Sequence, residues 1–289
     1  MTPFINDPLM PHLMDIASNP ASEGLILAGG FGIRLKQSEL QGAETRTLIM
    51  PFPAARATQD MDFFLRIEMF VQKERGKGVR NMLDQLEYRE KQRQWQFEKM
   101  QSPDTPERHV IVDLLARDPD PTEEPVKTKD FRVGSGAKIG IHGHETPEAF
   151  AVEDSPQPIR VTGLRTDGQE VEATIFVPHP FASLSMKVTA AHDWLRYARG
   201  ELTDRERSEK HAFDVYALVA MLTEQEQAEA VGLAAKYAEH PLAQANKGHI
   251  AALYSSFDAA GFLVVRRQTS VTEADYNVFW EVLQGILGT

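Results

Sequence analysis

The sequence contains no cysteine, which excludes disulfide bridges, thiolate catalysis and cysteine-held zinc or iron–sulfur centres. Any metal must be bound by oxygen or histidine, a donor set that favours hard cations such as Mg²⁺. Long apolar runs are also missing, since the uncharged stretches fall well short of the roughly 18 residues a membrane span requires. Nor is there an excess of cations. Lys and Arg number 31 against 42 Asp and Glu, a formal net charge of −11, so the surface as a whole repels polyanions and a nucleic-acid partner needs a local basic patch. Residues 1–17 carry acids and prolines where an export signal has basic residues and then an apolar core, so the sequence predicts a cytoplasmic protein. What is present is an ordinary globular composition, 42% hydrophobic and 25% charged over 289 residues, enough for two domains.

Local patterns suggest how the chain is organised. Asp7-Pro8 reads as a helix start, with Leu9, Leu13 and Ile16 at helical spacing behind it. Residues 24–28 form a short apolar run that ends in Gly29-Gly30, which predicts a buried strand entering a tight loop before a helix over 33–40. Residues 61–67 read as a second strand, 68–100 as a long charged helical region interrupted near Gly76 and Gly78, and 109–116 as a third strand. Prolines, glycines and acids crowd 118–158, where Gly134, Gly136, Gly140 and Gly143 suggest loops or a hairpin. Residues 159–164 and 171–177 alternate about Thr166-Asp167-Gly168, a hairpin signal. Helical periodicity follows over 183–197, 203–222, 224–239 and 272–287, with Thr203 and Glu206 placed for a capping box. The expectation is an α+β chain, mixed up to residue 180 and helical from 181 to 289, without an internal repeat.

Three acids stand out. On a strand, residues i and i+2 share a face, so Asp60-Met61-Asp62 aims two carboxylates at one point. Mg²⁺ is commonly held by one or two carboxylates together with substrate phosphates and water, which such a pair suits. Asp113 lies inside the apolar run Val110 to Leu115, where an unpartnered carboxylate is costly. If the two strands are neighbours, the three acids form a cluster that a cation would relieve.

Gly29-Gly30, Arg56-Ala57-Thr58-Gln59-Asp60-Met61-Asp62-Phe63, Asp113, Lys187 and Lys210-His211-Ala212-Phe213-Asp214-Val215-Tyr216 occur in that order. With these motifs the chain resembles the abortive-infection nucleotidyltransferase toxins of AbiEii/AbiGii type, in the minimal-nucleotidyltransferase branch of the polymerase-beta-like superfamily. The resemblance covers 24–222 as ordered motifs and not as continuous similarity. It implies a nucleotidyltransferase mixed sheet with flanking helices, followed by a helical domain. It further implies that Gly29, Gly30, Arg56, Thr58 and Lys210 serve the nucleotide, and that Asp60, Asp62 and Asp113 bind Mg²⁺ or Mn²⁺. Lys187 is expected to meet the triphosphate, with Asp214 orienting it or another basic group. The implied partners are an NTP, an RNA acceptor such as the tRNA 3′ end, and the antitoxin of a type IV toxin–antitoxin system. The sequence departs from the family at Phe31-Gly32-Ile33-Arg34-Leu35, where Thr-Ala-Leu is common, and in the longer insertion over 118–158.

Other readings stand beside this one. Leu25 to Leu35 resembles the phosphate loop of sugar-phosphate nucleotidylyltransferases, but the Pro-Lys pair those enzymes carry soon after the loop is missing. A small-molecule or protein hydroxyl could be the acceptor, or the fold could bind nucleotide without turnover. Lys210 and Asp214, at i,i+4, could simply pair on a helix surface. His142-Gly143-His144 offers two imidazoles to a metal, or only a glycine-rich turn. The basic residues from Lys73 to Lys99, with Trp95 and Phe97 among them, form either an RNA-contacting patch or a solvated helix face diluted by acids.

Overall fold

The computed structural model describes residues 7–56, 58, 60–102, 108–123, 125–134, 139–197 and 202–288, without the side chains of 194–197, 202–205 and 207–208. The chain divides into two compact units, Met1–Gly42 with Arg56–Pro178 and Ala43–Ala55 with His179–Thr289. Residues 43–55, read from sequence as part of the first domain, are thus grouped with the second. Within that unit Leu48 N–H donates to the Leu222 carbonyl at 2.8 Å and Ile49 N–H to that of Ala220 at 3.3 Å.

The first unit is α+β. In chain order it contains α1 (Met10–Ala17), β1 (Ile26–Leu27), α2 (Gly29–Gly42), β2 (Asp60–Phe64), α3 (Ile67–Val71), α4 (Lys73–Gln85), β3 (Arg89–Gln92), β4 (Gln96–Met100) and β5 (His109–Ala116). It continues through β6 (Lys127–Lys129), β7 (Arg132–Gly134), β8 (Gly143–Glu145), β9 (Gln157–Leu164) and β10 (Glu170–Val177). Among the described residues these strands form one mixed sheet, ordered β6-β7-β8-β5-β2-β1-β10-β9, with β4 also paired to β5 and β3 to β4. Strands β2 and β5 run parallel, as do β1 and β10, while β1–β2, β4–β5 and β9–β10 are antiparallel.

Strand alternation fixes which face holds the core. Met61, Phe63, Val110, Val112 and Leu114 are almost fully buried and join one cluster with Leu13 and Met14 of α1 and Val79 and Leu83 of α4. Asp60, Asp62, Ile111 and Asp113, at the alternate positions, are half-buried on the opposite face. Asp7 holds the chain ahead of α1, its Oδ1 accepting the Leu9 N–H at 2.8 Å. The β9–β10 hairpin closes through Gly168 at φ +83°, a left-handed position.

The region 68–100 differs from the expected long helical region interrupted near Gly76 and Gly78. Gly76 and Gly78 lie inside α4 without breaking it, and the helix ends where Glu87 takes φ +64°. Residues 89–100 then form a hairpin about Arg93 and Gln94, both at positive φ. The reason is that β3 is exposed along its whole length, so no apolar alternation marks it as a strand. The 118–158 segment, expected to be loop or hairpin, contributes the short strands β6, β7 and β8, and its Gly136 lies outside the described residues.

The second unit is helical, with α5 (Pro180–Tyr197), α6 (Leu202–Ala220), α7 (Glu224–Lys236), α8 (Pro241–Tyr254), α9 (Ala260–Gln268) and α10 (Glu273–Leu287). Helices α8 and α9 have no counterpart in the sequence reading. An aromatic cluster packs the interior, with Phe262 against Tyr276 at 4.9 Å and Tyr254 against Phe279 at 5.3 Å between ring centroids. Capping boxes form at Thr223/Glu226 and Thr272/Asp275, whereas the one expected at Thr203/Glu206 lies outside the described side chains. Among the described residues no helix is long and apolar enough to cross a membrane.

Candidate functional site

The three acids share one face of the sheet. Asp62 and Asp113 are direct partners in the parallel β2–β5 register, and Asp60, two residues before Asp62, pairs with Ile111. Neighbouring strands lie about 4.8 Å apart, so the two register partners leave the same face of the sheet on adjacent strands. On the far side of β5, Gln96 of β4 is the register partner of Asp113, and its Nε2 donates to Asp113 Oδ1 at 2.7 Å. Burial pushes the Asp113 carboxyl above its ordinary pKa; the Asp60 charge acts in the same direction, while the Gln96 amide, His144 and Lys91 oppose it.

The glycine pair meets this row at β2. Helix α2 begins at Gly29 itself, not at residue 33, because Gly29 takes φ +64° and turns the chain directly from β1 into the helix. The Ala28 N–H donates to the Asp62 carbonyl at 2.8 Å. A methyl group on Gly29 would lie 1.8 Å from Asp62 Oδ2, and one on Gly30 3.3 Å from Thr58 Cβ. The Asp62 carboxylate therefore rests against the backbone at the positive end of the α2 dipole, a setting that also suits phosphate. Thr58 Oγ1 donates to Asp60 Oδ1, which ties Thr58 to the acids. Arg56 is half-buried just ahead of it, and Ala57 and Gln59 lie outside the described residues.

A divalent cation suits the chemistry of this donor set. Among the described residues no three acidic or histidine side chains, Asp60, Asp62 and Asp113 included, gather so that they could hold a metal ion. Mg²⁺ does not require three, since one or two carboxylates with substrate phosphates and water complete its octahedron. The carboxylate oxygens of Asp60, Asp62 and Asp113 are of the hard donor type such an ion takes, and ionisation of the half-buried Asp113 carboxyl is opposed by burial and by the Asp60 charge.

In the second unit, Lys187 of α5 lies 2.9 Å from Asp214 of α6, with side-chain exposures of 13% and 9%. His211 Nδ1 stands 3.4 Å from the same ammonium. The partner found for Asp214 is thus Lys187, on another helix, while Lys210 is exposed. A surface pair at i,i+4 is not what accounts for the buried carboxylate.

The basic run from Lys73 to Lys99 looks different once folded. Arg75 pairs with Glu68, Lys77 with Glu74, Arg80 with Asp84 and Lys91 with Glu98, so much of its charge is neutralised locally. Phe97 is fully buried and offers no surface to a ligand. Trp95 is half-buried and stacks on His144, with centroids 4.6 Å apart at 23°. His142 is packed with its Nδ1 close to Gly134, and the two imidazoles of the His142-Gly143-His144 turn belong to no metal-holding group among the described residues. Gln96 had no signal in the sequence, because only the β4–β5 register brings it to Asp113. No family model, no curated protein and no solved structure matches this chain.

Proposed function

We propose that the protein is a metal-dependent nucleotidyltransferase of polymerase-beta-like fold, transferring a nucleoside monophosphate from an NTP to a hydroxyl acceptor. The observation that carries this reading is the register pairing of Asp62 with Asp113, with Asp60 on the same face and the Gly29-Gly30 helix start against Asp62. Mg²⁺ or Mn²⁺ held by Asp60, Asp62 and Asp113 would neutralise triphosphate charge and stabilise the attacking and leaving oxygens. The backbone at the start of α2 binds phosphate, with Arg56 and Thr58 beside it. Gln96 holds the Asp113 carboxylate in place, and Asp113 receives the proton of the acceptor hydroxyl. The acceptor oxygen bonds to the α-phosphorus, the bond to the β-phosphate oxygen breaks, and pyrophosphate leaves.

The resemblance of the motifs extends the proposal to an RNA acceptor, such as the tRNA 3′ end, and to the role of a toxin with a cognate antitoxin. The test is incubation of the protein with each labelled NTP, Mg²⁺ or Mn²⁺, and total cellular RNA, protein or small metabolites, following label and pyrophosphate. Label is expected in RNA, and Asp62→Asn should abolish it. Metal-dependent NTP binding without pyrophosphate release from any acceptor class would refute catalysis.

A further inference from the structure

The acid-bearing face of the sheet continues past Asp113, and its chemistry changes in order across the strands. His144 on β8 is the register partner of Leu115, which shares a face with Asp113 on β5. Arg132 on β7 is the partner of His144, and Lys129 on β6 that of Arg132. Register partners point to the same side of a sheet, so one face runs from the glycines through Asp62 and Asp113 to an imidazole and then to two cations. Trp95 lies on His144 as a stacked ring. Its position is held from two sides, because its carbonyl accepts the Leu114 N–H at 2.7 Å and the neighbouring Gln94 carbonyl accepts the His142 N–H at 2.9 Å. Lys127 and Lys129 are exposed on the edge strand, and Arg132 keeps 30% of its side chain exposed while its guanidinium lies 3.5 Å from the exposed Asp130. In a chain of net charge −11, this is the kind of local basic strip that a polyanion needs.

We infer that Trp95, stacked on His144, is the platform for the terminal base of a single-stranded RNA acceptor, with Arg132 and Lys129 meeting its adjoining phosphates. The inference rests on the nucleotidyltransferase reading, which puts the leaving phosphates at Gly29-Gly30. In-line attack then brings the acceptor in from the opposite side, past Asp113, where the rings and cations lie. A ring face tolerates any base, whereas lysine and arginine read the backbone, the combination by which single strands are held without regard to sequence. The strip also shifts the RNA contact away from α4, where Arg75, Lys77 and Arg80 are paired with Glu68, Glu74 and Asp84.

The test is titration of the full chain, in Mg²⁺, with a short single-stranded RNA bearing a free 3′-hydroxyl. Tryptophan emission should be quenched in the wild type and much less in Trp95→Phe, which keeps a stacking ring and should bind RNA nearly as well. Trp95→Leu should weaken RNA binding roughly five- to hundredfold, as loss of one base–aromatic stack does, while leaving the NTP-induced thermal shift intact. Lys129→Gln should reduce the slope of log K against log salt by about 0.7. Equal RNA affinity for the wild type and Trp95→Leu, or quenching that survives in Trp95→Phe, overturns the platform even if the enzyme releases pyrophosphate. RNA binding through Trp95 without pyrophosphate release from any NTP leaves the platform standing and removes the catalytic reading.

Discussion

Replacing Gly29 with alanine probes the closest approach in the carboxylate row, and Gly30→Ala next to it is the control. Gly29 has φ +64°, where a residue with a Cβ is less stable by about 1–2 kcal/mol. The added methyl would stand 1.8 Å from Asp62 Oδ2 and 2.8 Å from its Cγ, so either the carboxylate leaves its position or the helix start shifts. Overpacking of that kind costs about 1–3 kcal/mol, and the two effects together predict a loss of about 2–5 kcal/mol. At Gly30 the new methyl meets Thr58 Cβ at 3.3 Å, a contact relieved by a small adjustment. Alanine is the better helix former by up to about 1 kcal/mol, so Gly30→Ala should lie within about 1 kcal/mol of the wild type in either direction. Urea unfolding in EDTA measures both variants, and thermal shift with Mg²⁺ and NTP reads the site. Gly29→Ala should lose the NTP response and Gly30→Ala should largely keep it. Equal stabilities, or a normal NTP response in Gly29→Ala, would refute the close contact between the helix start and Asp62.

Asp113→Asn should abolish turnover yet stabilise the metal-free protein at neutral pH. Because burial and Asp60 raise the folded-state pKa of Asp113, its carboxyl favours folding when protonated, and that contribution is lost as pH rises from the ordinary carboxylate value of about 4 through the raised one. The gain of the asparagine variant in EDTA should therefore appear above that window and vanish below it; a gain independent of pH would contradict the sign. Breaking the buried Lys187–Asp214 pair, 2.9 Å apart, by Lys187→Met or Asp214→Asn should cost about 3–5 kcal/mol in urea unfolding, because each removes one charge of a buried ion pair and leaves the other uncompensated by it. A double Lys187→Met, Asp214→Leu variant should recover most of that loss, and failure to recover would mean the pair does not act as a unit. Tyr254→Phe removes a buried hydroxyl that donates to the Ala212 carbonyl at 3.1 Å and should lower stability by about 1 kcal/mol. An unchanged unfolding midpoint would show that the bond contributes nothing.

Local chemistry made several elements legible in advance. Strand β5 matches the apolar run around Asp113, and the β9–β10 hairpin follows its alternating pattern and its glycine turn. Helices α5, α6, α7 and α10 follow their apolar periodicity. The β3–β4 hairpin escaped notice because an edge strand exposed on both faces is under no pressure to alternate, and its charges imitate a helix surface. Within the candidate site, Asp60 and Asp62 could be singled out from spacing, since i and i+2 on a strand must share a face, and the two glycines from their place between a strand and a helix, whereas Thr58 came only with the family resemblance. Gln96 and the Trp95–His144 stack could not, because what they touch depends on which strands become neighbours.

By itself the sequence determined the inventory of this protein: oxygen and nitrogen ligands without thiols, an acidic surface, an α+β first half and a helical second half, and two carboxylates on one strand face. Period and composition are local properties, written wherever a residue and its near neighbours decide the conformation. Only the tertiary structure set Asp113 beside Asp62, pressed Gly29 against that carboxylate, and paired Asp214 with Lys187 and not with Lys210. Those outcomes follow from strand order, register and helix packing, which depend on how distant segments bury apolar surface together and which no short window of residues contains.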